Sequence, residues 1–291
     1  MPPRERSSCS EVEARLREFA FSDQDFNFLR TLVHRHTGIS LSDAKRELVY
    51  GRLSRRLRAL GLDSFRDYRN VLTSDPEGQE MVEFCNAITT NLTSFFRESH
   101  HFDHLREQVL VPLATRPPGQ RLRIWSAGCS SGEEPYSIAI TVRESLPQVC
   151  RHDIKILATD LDSDVLARAR EGVYAEDRVK GMSQARISTF FHERLDGGIL
   201  RFAVTPSLRE LITFKQLNLM HELPMRGPFD VIFCRNVVIY FDKDTQRDLF
   251  RRFAQLQRPG DVLFLGHSES MFKVSDAYTL VGRTIYRRNE S

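Results

Sequence analysis

The sequence predicts an α/β protein whose first part is all-helical and whose larger second part is a mostly parallel sheet with helices on both faces. Up to about Asn86, apolar residues recur at spacings of three and four, which is typical of amphipathic helices. After Pro117-Pro118-Gly119, short apolar runs alternate with helical stretches. The chain has 291 residues, 41% hydrophobic and 28% charged, so it is long enough for two globular domains of ordinary composition.

The first part contains two amphipathic stripes, and their apolar residues are Phe26, Leu29, Leu32 and Val33, then Val49, Leu53, Leu57 and Leu60. Ser22, Ser42 and Ser64 precede these or neighbouring helical runs and are expected to cap helix starts. Gly38 and Gly61 are expected helix ends, because glycine readily adopts the left-handed conformation found there.

In the second part, four short apolar runs bounded by turn residues are expected to form strands, at 122–127, 154–159, 229–234 and 262–266. The segment that joins the two parts contains Phe95, Phe96, Phe102 and Leu105. It is too apolar for a free linker and is expected to pack against the second part. A small antiparallel insert is also expected, with strands at 199–204, 206–210 and 211–217 and a turn before them at 197–198.

These patterns define a provisional domain organisation. We expect an N-terminal tail at 1–20, an all-helical domain at 21–90, an interdomain segment at 91–118 and an α/β domain at 119–291, with the antiparallel insert at about 187–217.

Composition excludes several classes of protein. Lys and Arg total 42 against 39 for Asp and Glu, a formal charge of +3 that does not indicate nucleic-acid binding. The five cysteines stand far apart at 9, 85, 129, 150 and 234, so we expect neither a disulfide framework nor a zinc ribbon. No apolar run approaches 18 residues and the N-terminal sequence is charged, so we expect a cytoplasmic protein without membrane insertion.

A small-residue loop at 126–132 follows the first expected strand and precedes a helical pattern, which is the Rossmann-like arrangement of a nucleotide-binding turn. Gly128 allows the backbone to approach a ligand closely, but the run is not G-x-G-x-x-G. Glu133 and Glu134 stand where a phosphate would bind. The loop therefore argues against NAD and FAD and favours a ligand with an adenosine and a cationic or amino group.

S-adenosylmethionine is such a ligand, since it has an ammonium, a sulfonium and a ribose but no phosphate. Asp160 ends the next expected strand, where an acid accepts hydrogen bonds from ribose hydroxyls, although the spacing is about 30 residues instead of about 20. Each feature also has a plainer interpretation. The loop can be an ordinary strand-to-helix turn, Glu133 and Glu134 can favour the helix dipole, and Asp160 can cap a helix.

Several longer runs in the chain resemble those of CheR-type chemotaxis methyltransferases, which methylate receptor glutamates with S-adenosylmethionine. The runs are TNLTSFFRE (90–98) with HHF (100–102), WSAG (125–128), GEEPYS (132–137), ATDLD (158–162), and FDVIFCRNV (229–237) with YF (240–241). The resemblance extends from about residue 22 to 286. It implies an S-adenosylmethionine-dependent protein-glutamate O-methyltransferase, with S-adenosylhomocysteine as the cofactor product.

The resemblance also implies site residues. Arg97 and Tyr240 correspond to residues near the transferred methyl group, and we treat both as catalytic. The expected cofactor-binding residues, which include the loop glycine Gly128, are Asn91, Thr93, Arg97, Gly128, Glu133, Asp160, Asn218, Leu219, Arg235 and Asn236. The implied partners are the cytoplasmic helices of methyl-accepting chemoreceptors, bound by a monomer. In the family, the helical domain and the antiparallel insert contact the receptor, which implies that residues 21–90 form a substrate-recognition domain. Some family members hold a receptor pentapeptide on the insert by strand addition, and the turn at 194–198 is shorter here.

One side of the expected helix around Leu53 carries basic residues, which offer a substrate-binding face for the acidic receptor helices: Lys45, Arg52, Arg55 and Arg56. A solvated charged face is the alternative. No Ser-His-Asp or Cys-His signature is needed, because a glutamate side chain, with an ordinary pKa of about 4.3, is already an anionic nucleophile at neutral pH.

Plainer roles remain open for individual residues. Arg97 can form an ion pair with Glu98. Asn218 and Asn236 can be turn residues, and Tyr240 can be a core aromatic. The histidines at 100, 101 and 104 lack an acid or cysteine at ligand spacing, so no metal is expected. Two alternative functions remain open, a cofactor-binding signalling module without turnover and a methyltransferase for another protein or RNA.

Overall fold

The structure is a computed structural model that describes residues 17–146 and 151–290. The chain divides between Thr89 and Thr90 into two compact units. Cys85, Cys129 and Cys234 are buried free thiols, whereas the other two cysteines lie outside the described residues. Within the described ranges, no helix combines the length and apolarity needed to cross a bilayer.

The first unit is helical throughout its regular structure. Its elements are α1 (Asp23–Thr37), a 3-10 turn (Asp43–Lys45), α2 (Arg46–Leu60), α3 (Phe65–Ser74) and α4 (Gln79–Ile88). Ser22 caps α1 by accepting a hydrogen bond from the Asp25 backbone N–H, and Ser64 caps α3 in the same way. Gly38 and Gly61 end α1 and α2 in the left-handed conformation. The predicted helix boundaries at these residues are confirmed.

The helical unit has its own hydrophobic core. The predicted stripe residues that are fully buried in it are Phe26, Leu29, Val33, Val49, Leu53 and Leu57. Leu32 is only partly buried, and Leu60 is 40% exposed. The prediction that Leu60 continues the buried stripe is wrong, because it is the last residue of α2 and the chain turns away at Gly61.

The second unit begins with the joining segment. A helical stretch there consists of α5 (His100–His104), a π-helical turn (Leu105–Leu110) and α6 (Val111–Ala114). Phe102 and Leu105 are buried in the main core of the unit, and Phe95 and Phe96 pack against it. The expectation that this segment packs against the α/β part is confirmed.

The strands form two sheets. In chain order they are β1 (Arg121–Ala127), β2 (Asp153–Asp160), β3 (Val173–Ala175), β4 (Phe191–Asp196), β5 (Ile199–Val204), β6 (Ile212–Gln216), β7 (Val231–Cys234), β8 (Val262–Leu265), β9 (Tyr278–Gly282) and β10 (Ile285–Arg288). The main sheet has the order β6-β2-β1-β7-β8-β10-β9. Its first five strands are parallel to one another, and β10 pairs antiparallel with both of its neighbours, β8 and β9.

Helices connect the parallel strands. They are α7 (Glu133–Ser145), α8 (Ser163–Glu171), α9 (Glu176–Val179), α10 (Gln184–Phe190), α11 (Pro206–Arg209) and α12 (Lys243–Gln255). Alternate strand residues belong to different hydrophobic clusters: Ile124 and Phe233 to one, Trp125 and Ile232 to the other. The main sheet is therefore covered on both faces, which confirms the predicted α/β fold.

The antiparallel insert exists, but its strands differ from the prediction. The hairpin of β4 and β5 turns at Gly197-Gly198 as expected, and its third strand is β3. The segment predicted at 206–210 is instead the short helix α11, which Pro206 starts from its first position. The segment predicted at 211–217 is β6, which pairs in parallel with β2 through Ile156 and Ile212. Burial of Leu211 and Ile212 fixes this strand on the main sheet instead.

Candidate functional site

The candidate site lies at the carboxyl ends of the neighbouring parallel strands β2, β1 and β7. Gly128 follows β1, Asp160 ends β2, and Arg235 follows β7. In open α/β sheets, ligands bind outside the carboxyl ends of such strands. The sheet order therefore brings together residues that the sequence analysis selected from separate motifs.

The loop after β1 is held against β2 by its backbone. The N–H groups of Gly128 and Cys129 donate to the Thr159 carbonyl oxygen at 2.8 and 2.9 Å. Gly128 has φ +91°, and a Cβ added there would overlap the side chain of Val237. Only glycine fits this turn without moving the loop after β7, so a larger residue would disturb two sides of the site.

Asp160 lies at the end of β2 and is buried, with 9% of the residue exposed. Its Oδ2 accepts a hydrogen bond from the Ser130 N–H at 2.7 Å, and its Oδ1 accepts one from the Asp162 N–H at 3.0 Å. Burial raises the pKa of Asp160 to about 6, although these backbone donors oppose the shift. Each carboxylate oxygen can accept a second hydrogen bond, so the group retains capacity for ligand hydroxyls.

Glu133, the first residue of α7, is paired with an arginine that the sequence analysis did not select. Its side chain is 1% exposed, and Oε1 accepts hydrogen bonds from Nε and Nη2 of Arg178. Oε2 accepts a hydrogen bond from the Ser131 hydroxyl at 2.7 Å. The same Arg178 donates to the Thr93 carbonyl oxygen at 2.9 Å. Two predicted cofactor-binding positions, 93 and 133, are thus joined by one guanidinium.

The segment 91–97 is bound to the loops after β1 and β2. The Asn91 amide donates to Asp162 Oδ2 at 2.6 Å, and the Ser130 hydroxyl donates to the Asn91 carbonyl oxygen at 2.9 Å. The Phe96 N–H donates to the Ser137 hydroxyl at 2.9 Å. These bonds fix the segment at the carboxyl edge of the sheet, as its predicted role requires.

Arg97 lies in a strained part of this segment. Its neighbours Phe96 and Glu98 have φ +52° and +58°, values that non-glycine residues rarely adopt. Its Nη1 donates to the Leu92 carbonyl oxygen at 3.0 Å, while its Nε is 3.9 Å from Glu98. The side chain is 30% exposed. Such strain is typical of functional segments that the surrounding structure holds in place.

The side chain of Arg235 is buried and faces the protein interior. It donates to the Arg97 carbonyl oxygen, and its Nε lies 3.7 Å from Glu134 and 4.0 Å from Glu98. Burial raises the pKa of Glu134, although Arg235 opposes this shift. Arg235 thus ties the loop after β7 to the segment that carries Arg97.

The loop after β7 is also held by Glu269, which follows β8. Its buried carboxylate accepts backbone N–H bonds from Gly266 at 2.5 Å, Asn236 at 2.9 Å and Ile239 at 3.1 Å. Burial raises the pKa of Glu269 despite these donors. Asn236 adopts φ +59°, and Tyr240 ends the short 3-10 turn that follows it. Glu269 therefore sets the conformation of the stretch that presents Tyr240.

Asn218 and Leu219 reach the site because β6 pairs with β2. The Leu217 N–H donates to the Asp160 carbonyl oxygen at 2.9 Å, which places the chain after β6 beside the end of β2. Asn218 Oδ1 accepts the Met220 N–H at 2.9 Å, so the asparagine is a turn residue as well. Leu219 is buried in the core.

Glu98, His100 and His101 come close enough together to be considered as metal ligands, with one ligand atom of each lying within 4.8 Å of the others. Glu98 stands only two residues before His100 in the chain, and its Oε2 lies 3.6 Å from His101 Nδ1. Burial lowers the pKa of His101 to about 3, with the Arg235 charge adding to the shift. A cation there would lie beside this guanidinium, so the cluster favours internal hydrogen bonding over metal binding.

In the helical unit, the four predicted substrate-binding cations have different surroundings. Arg52 donates to the carbonyl oxygens of Ile88 at 2.6 Å and Thr89 at 2.7 Å, and so caps α4. Arg56 is 2.5 Å from Glu80, and the carboxylate of Glu83 also lies within ion-pair distance. Lys45 and Arg55 are exposed. Two of the four cations are thus engaged within the unit itself.

Comparison with known proteins gives matches over both units. Residues 91–287 match the family described as CheR methyltransferase, SAM binding domain, and residues 24–89 match the one described as CheR methyltransferase, all-alpha domain. A probable chemotaxis protein methyltransferase of Rhizobium etli is 45% identical over 88% of this chain and 96% of its own. A chemotaxis protein methyltransferase of Salmonella typhimurium is 43% identical over 92% of this chain and 91% of its own. Chemotaxis protein methyltransferase 2 of Pseudomonas aeruginosa is 45% identical over 92% of this chain and 94% of its own.

Proposed function

Because the chain belongs to the CheR methyltransferase family and carries its S-adenosylmethionine-binding domain, we propose that it methylates glutamate side chains of methyl-accepting chemoreceptors. The observation that carries the proposal is the match to relatives named chemotaxis protein methyltransferase over 88% to 92% of the chain. The products are glutamate methyl esters and S-adenosylhomocysteine. A cytoplasmic location and a monomeric state are part of the proposal.

The donor set of the site suits the cofactor. Asp160 offers an acidic acceptor at the end of β2, Glu133 offers a buried carboxylate at the start of α7, and Gly128 leaves room above the sheet edge. Glu133 and Glu134 stand in the first turn of α7, where their negative charges would oppose a phosphate group. An adenosyl amino acid without phosphate matches these groups better than a dinucleotide does.

When bound, S-adenosylmethionine supplies an electrophilic methyl group. A substrate glutamate, with an ordinary pKa of about 4.3, is ionised at neutral pH, so the protein needs no general base. Its task is to bind the carboxylate, exclude water and align it, and such alignment of reactants accounts for roughly 7 to 11 kcal/mol of a barrier. Arg97 is suited to attract the carboxylate, and the Tyr240 hydroxyl is suited to donate a hydrogen bond to it.

Three contacts support a shared role for Arg97 and Tyr240. The Arg97 backbone is bound by Arg235, and Asn236 directly follows that residue in the loop. Glu269 binds the same loop at Asn236 and Ile239, one residue before Tyr240. Two separate chain segments are thereby held in a fixed relation, which is the pre-organisation that catalysis by orientation requires.

The test of the proposal is the chemistry of the product. The protein is incubated with methyl-labelled S-adenosylmethionine and receptor-containing membranes of its own organism, and the labelled material is then treated with base. Glutamate methyl esters release labelled methanol under base, whereas N-methyl groups do not. The matched control is an Asp160→Asn variant of the same protein. Base-stable label in protein, or label in RNA, would contradict the proposal.

A further inference from the structure

We propose that Glu133 and Arg178 together recognise the amino-acid end of the cofactor, Glu133 through the α-ammonium group and Arg178 through the α-carboxylate. The inference rests on the proposed role of Glu133 and does not depend on which residue of the substrate is methylated. It assigns a ligand contact to Arg178, which lies in the short helix α9 after the first strand of the insert.

The need for a cation follows from the charges of the ligand and the site. The methionine end of the cofactor is a zwitterion, so a carboxylate accompanies the ammonium group. Near the start of α7, the site already contains the acids Glu133 and Glu134. Without a cation beside them, the ligand carboxylate would be repelled at the short distances involved. Arg97 is proposed to attract the substrate carboxylate, so a second arginine would give each of the two carboxylates a cation of its own.

Arg178 has the position and the free donors for this role. Its Nε and Nη2 hydrogen-bond to Glu133, and Nη2 also donates to the carbonyl oxygen of Thr93. Among the residues that the structure describes, its Nη1 has no hydrogen-bond acceptor, and 34% of the side chain is exposed. The guanidinium therefore presents unused N–H groups between two predicted cofactor-binding positions.

Glu133 retains acceptor capacity in the same arrangement. Arg178 uses Oε1, and the Ser131 hydroxyl uses one acceptor position of Oε2. A carboxylate has about four acceptor positions, so at least one on Oε2 is left for an ammonium group. A planar arginine fork matches the geometry of a carboxylate, which a point-charge lysine does not. The pair thus offers one group for each charge of an amino acid.

The experiment compares two ligands by calorimetry. S-adenosylhomocysteine has both charged groups, and S-(5′-adenosyl)-3-thiopropylamine has the amine but lacks the carboxylate. Arg178→Ala is expected to lower affinity for S-adenosylhomocysteine about tenfold or more, and affinity for the amine analogue less than about twofold. Arg178→Lys is expected to lie between wild type and Arg178→Ala for the first ligand only.

Arg143→Ala is the matched control. The Arg143 guanidinium also binds a carboxylate and a backbone carbonyl oxygen, those of Glu210 and Ser207, so it makes the same kinds of contact at the other end of α7. This variant is expected to bind both ligands like the wild type. Thermal melts establish that each variant is folded. If Arg178→Ala does not fold, Arg178→Lys takes its place in the comparison of the two ligands.

Two results would overturn the inference. Equal losses for both ligands would mean that Arg178 only holds Glu133 in place, and an unchanged or improved affinity for S-adenosylhomocysteine would remove Arg178 from the ligand site. Absence of binding by the wild type would instead contradict the cofactor assignment as a whole. Normal binding with no receptor methylation would count against the proposed function and leave the role of Arg178 intact.

Discussion

At the residue scale, buried acids dominate the site, and each is held in a different way. Asp160 accepts two backbone N–H bonds, Glu133 is paired with Arg178, and Glu269 accepts three backbone N–H bonds. Asp160 and Glu269 have raised pKa values because they are buried. An acid whose pKa lies near the working pH makes ligand binding sensitive to protonation.

Asp160→Asn tests this sensitivity. The raised pKa of about 6 means that the folded protein gains a proton on Asp160 as the pH falls through 6. If the anion accepts the ligand hydroxyls, affinity of the wild type for S-adenosylhomocysteine falls below that pH by up to about tenfold per unit. The asparagine variant is expected to bind more weakly at pH 7.5, by about 1.5 to 3 kcal/mol, and to show a flatter profile. Calorimetry between pH 5 and 7.5 measures both. Equal slopes for the two proteins would remove Asp160 from the ligand site.

Arg97→Ala is expected to slow methyl transfer more than Tyr240→Phe does. The first change removes a positive charge beside a reacting anion, and the second removes one neutral hydrogen-bond donor. Loss of one pre-organised donor typically costs about 10²- to 10³-fold in rate, so the tyrosine variant is expected at or below this range and the arginine variant above it. The measurement is single-turnover transfer with saturating cofactor and folded protein. An unchanged rate in Arg97→Ala would make this arginine a structural residue, bound to Leu92.

The sequence revealed only some of these residues, for a physical reason. Asp160 ends an expected strand and Glu133 directly follows the glycine turn, so the local sequence pattern alone indicates the place of both residues. Arg178 and Glu269 act through partners far away in the chain, and no local pattern distinguishes them from surface charges. Glu269, for example, is flanked by Ser268 and Ser270 and looks like part of an exposed loop until the sheet brings it under Asn236.

At the scale of elements, the same limit explains why residues 211–217 are predicted in the insert but lie in the main sheet. A segment such as β6 has a strand pattern, but the pattern does not say which sheet it joins. The hairpin of β4 and β5 was predictable, because its turn is local. The third strand β3 comes from before the hairpin, and β6 passes to the edge of the parallel sheet beside β2. Pairing partners are decided by burial of Leu211 and Ile212, which lies outside local sequence information.

The cations of α2 and of the 3-10 turn before it give an element-scale prediction. Arg52 and Arg56 serve the helical unit, as an α4 cap and as the partner of Glu80, which leaves Lys45 and Arg55 for an acidic receptor helix. The double variant Lys45→Glu and Arg55→Glu is expected to lower receptor methylation at low salt without changing affinity for S-adenosylhomocysteine. The effect is expected to shrink with salt, because exposed charges are screened over about 8 to 10 Å near physiological ionic strength.

The control for this prediction is Arg66→Glu, which reverses another exposed cation in α3 of the same unit. It is expected to methylate receptors at the wild-type rate. Arg52→Ala is expected to differ in kind, since it leaves the last carbonyl groups of α4 without their donor and lowers the free energy of unfolding by about 1 to 3 kcal/mol in urea melts. Equal methylation rates for the double variant and the wild type at low salt would mean that Lys45 and Arg55 belong to a solvated charged face and do not bind the receptor.

At the scale of the whole molecule, the two units are separate in their cores. The buried cluster of the helical unit lies between Phe19 and Ile88, and the two clusters of the α/β unit lie between Phe102 and Tyr286. All the predicted cofactor-binding residues belong to the second unit, from Asn91 to Asn236. The cations predicted to bind the substrate belong to the first. This division suggests that cofactor binding and receptor recognition are separable.

A fragment of residues 90–291 is therefore expected to bind S-adenosylhomocysteine with an affinity within about threefold of the full chain, which is less than 1 kcal/mol. It is expected to methylate receptors far more slowly at equal concentrations, because the cations Lys45 and Arg55 are missing. Calorimetry and the methanol-release assay measure the two properties, and circular dichroism with a cooperative thermal melt establishes that the fragment is folded. The same fragment with Asp160→Asn serves as the control for specific binding.

Two outcomes would contradict this prediction. A folded fragment that fails to bind S-adenosylhomocysteine would mean that the helical unit contributes to the cofactor site. A fragment that methylates receptors at the rate of the full chain would mean that the helical unit has no role in substrate recognition.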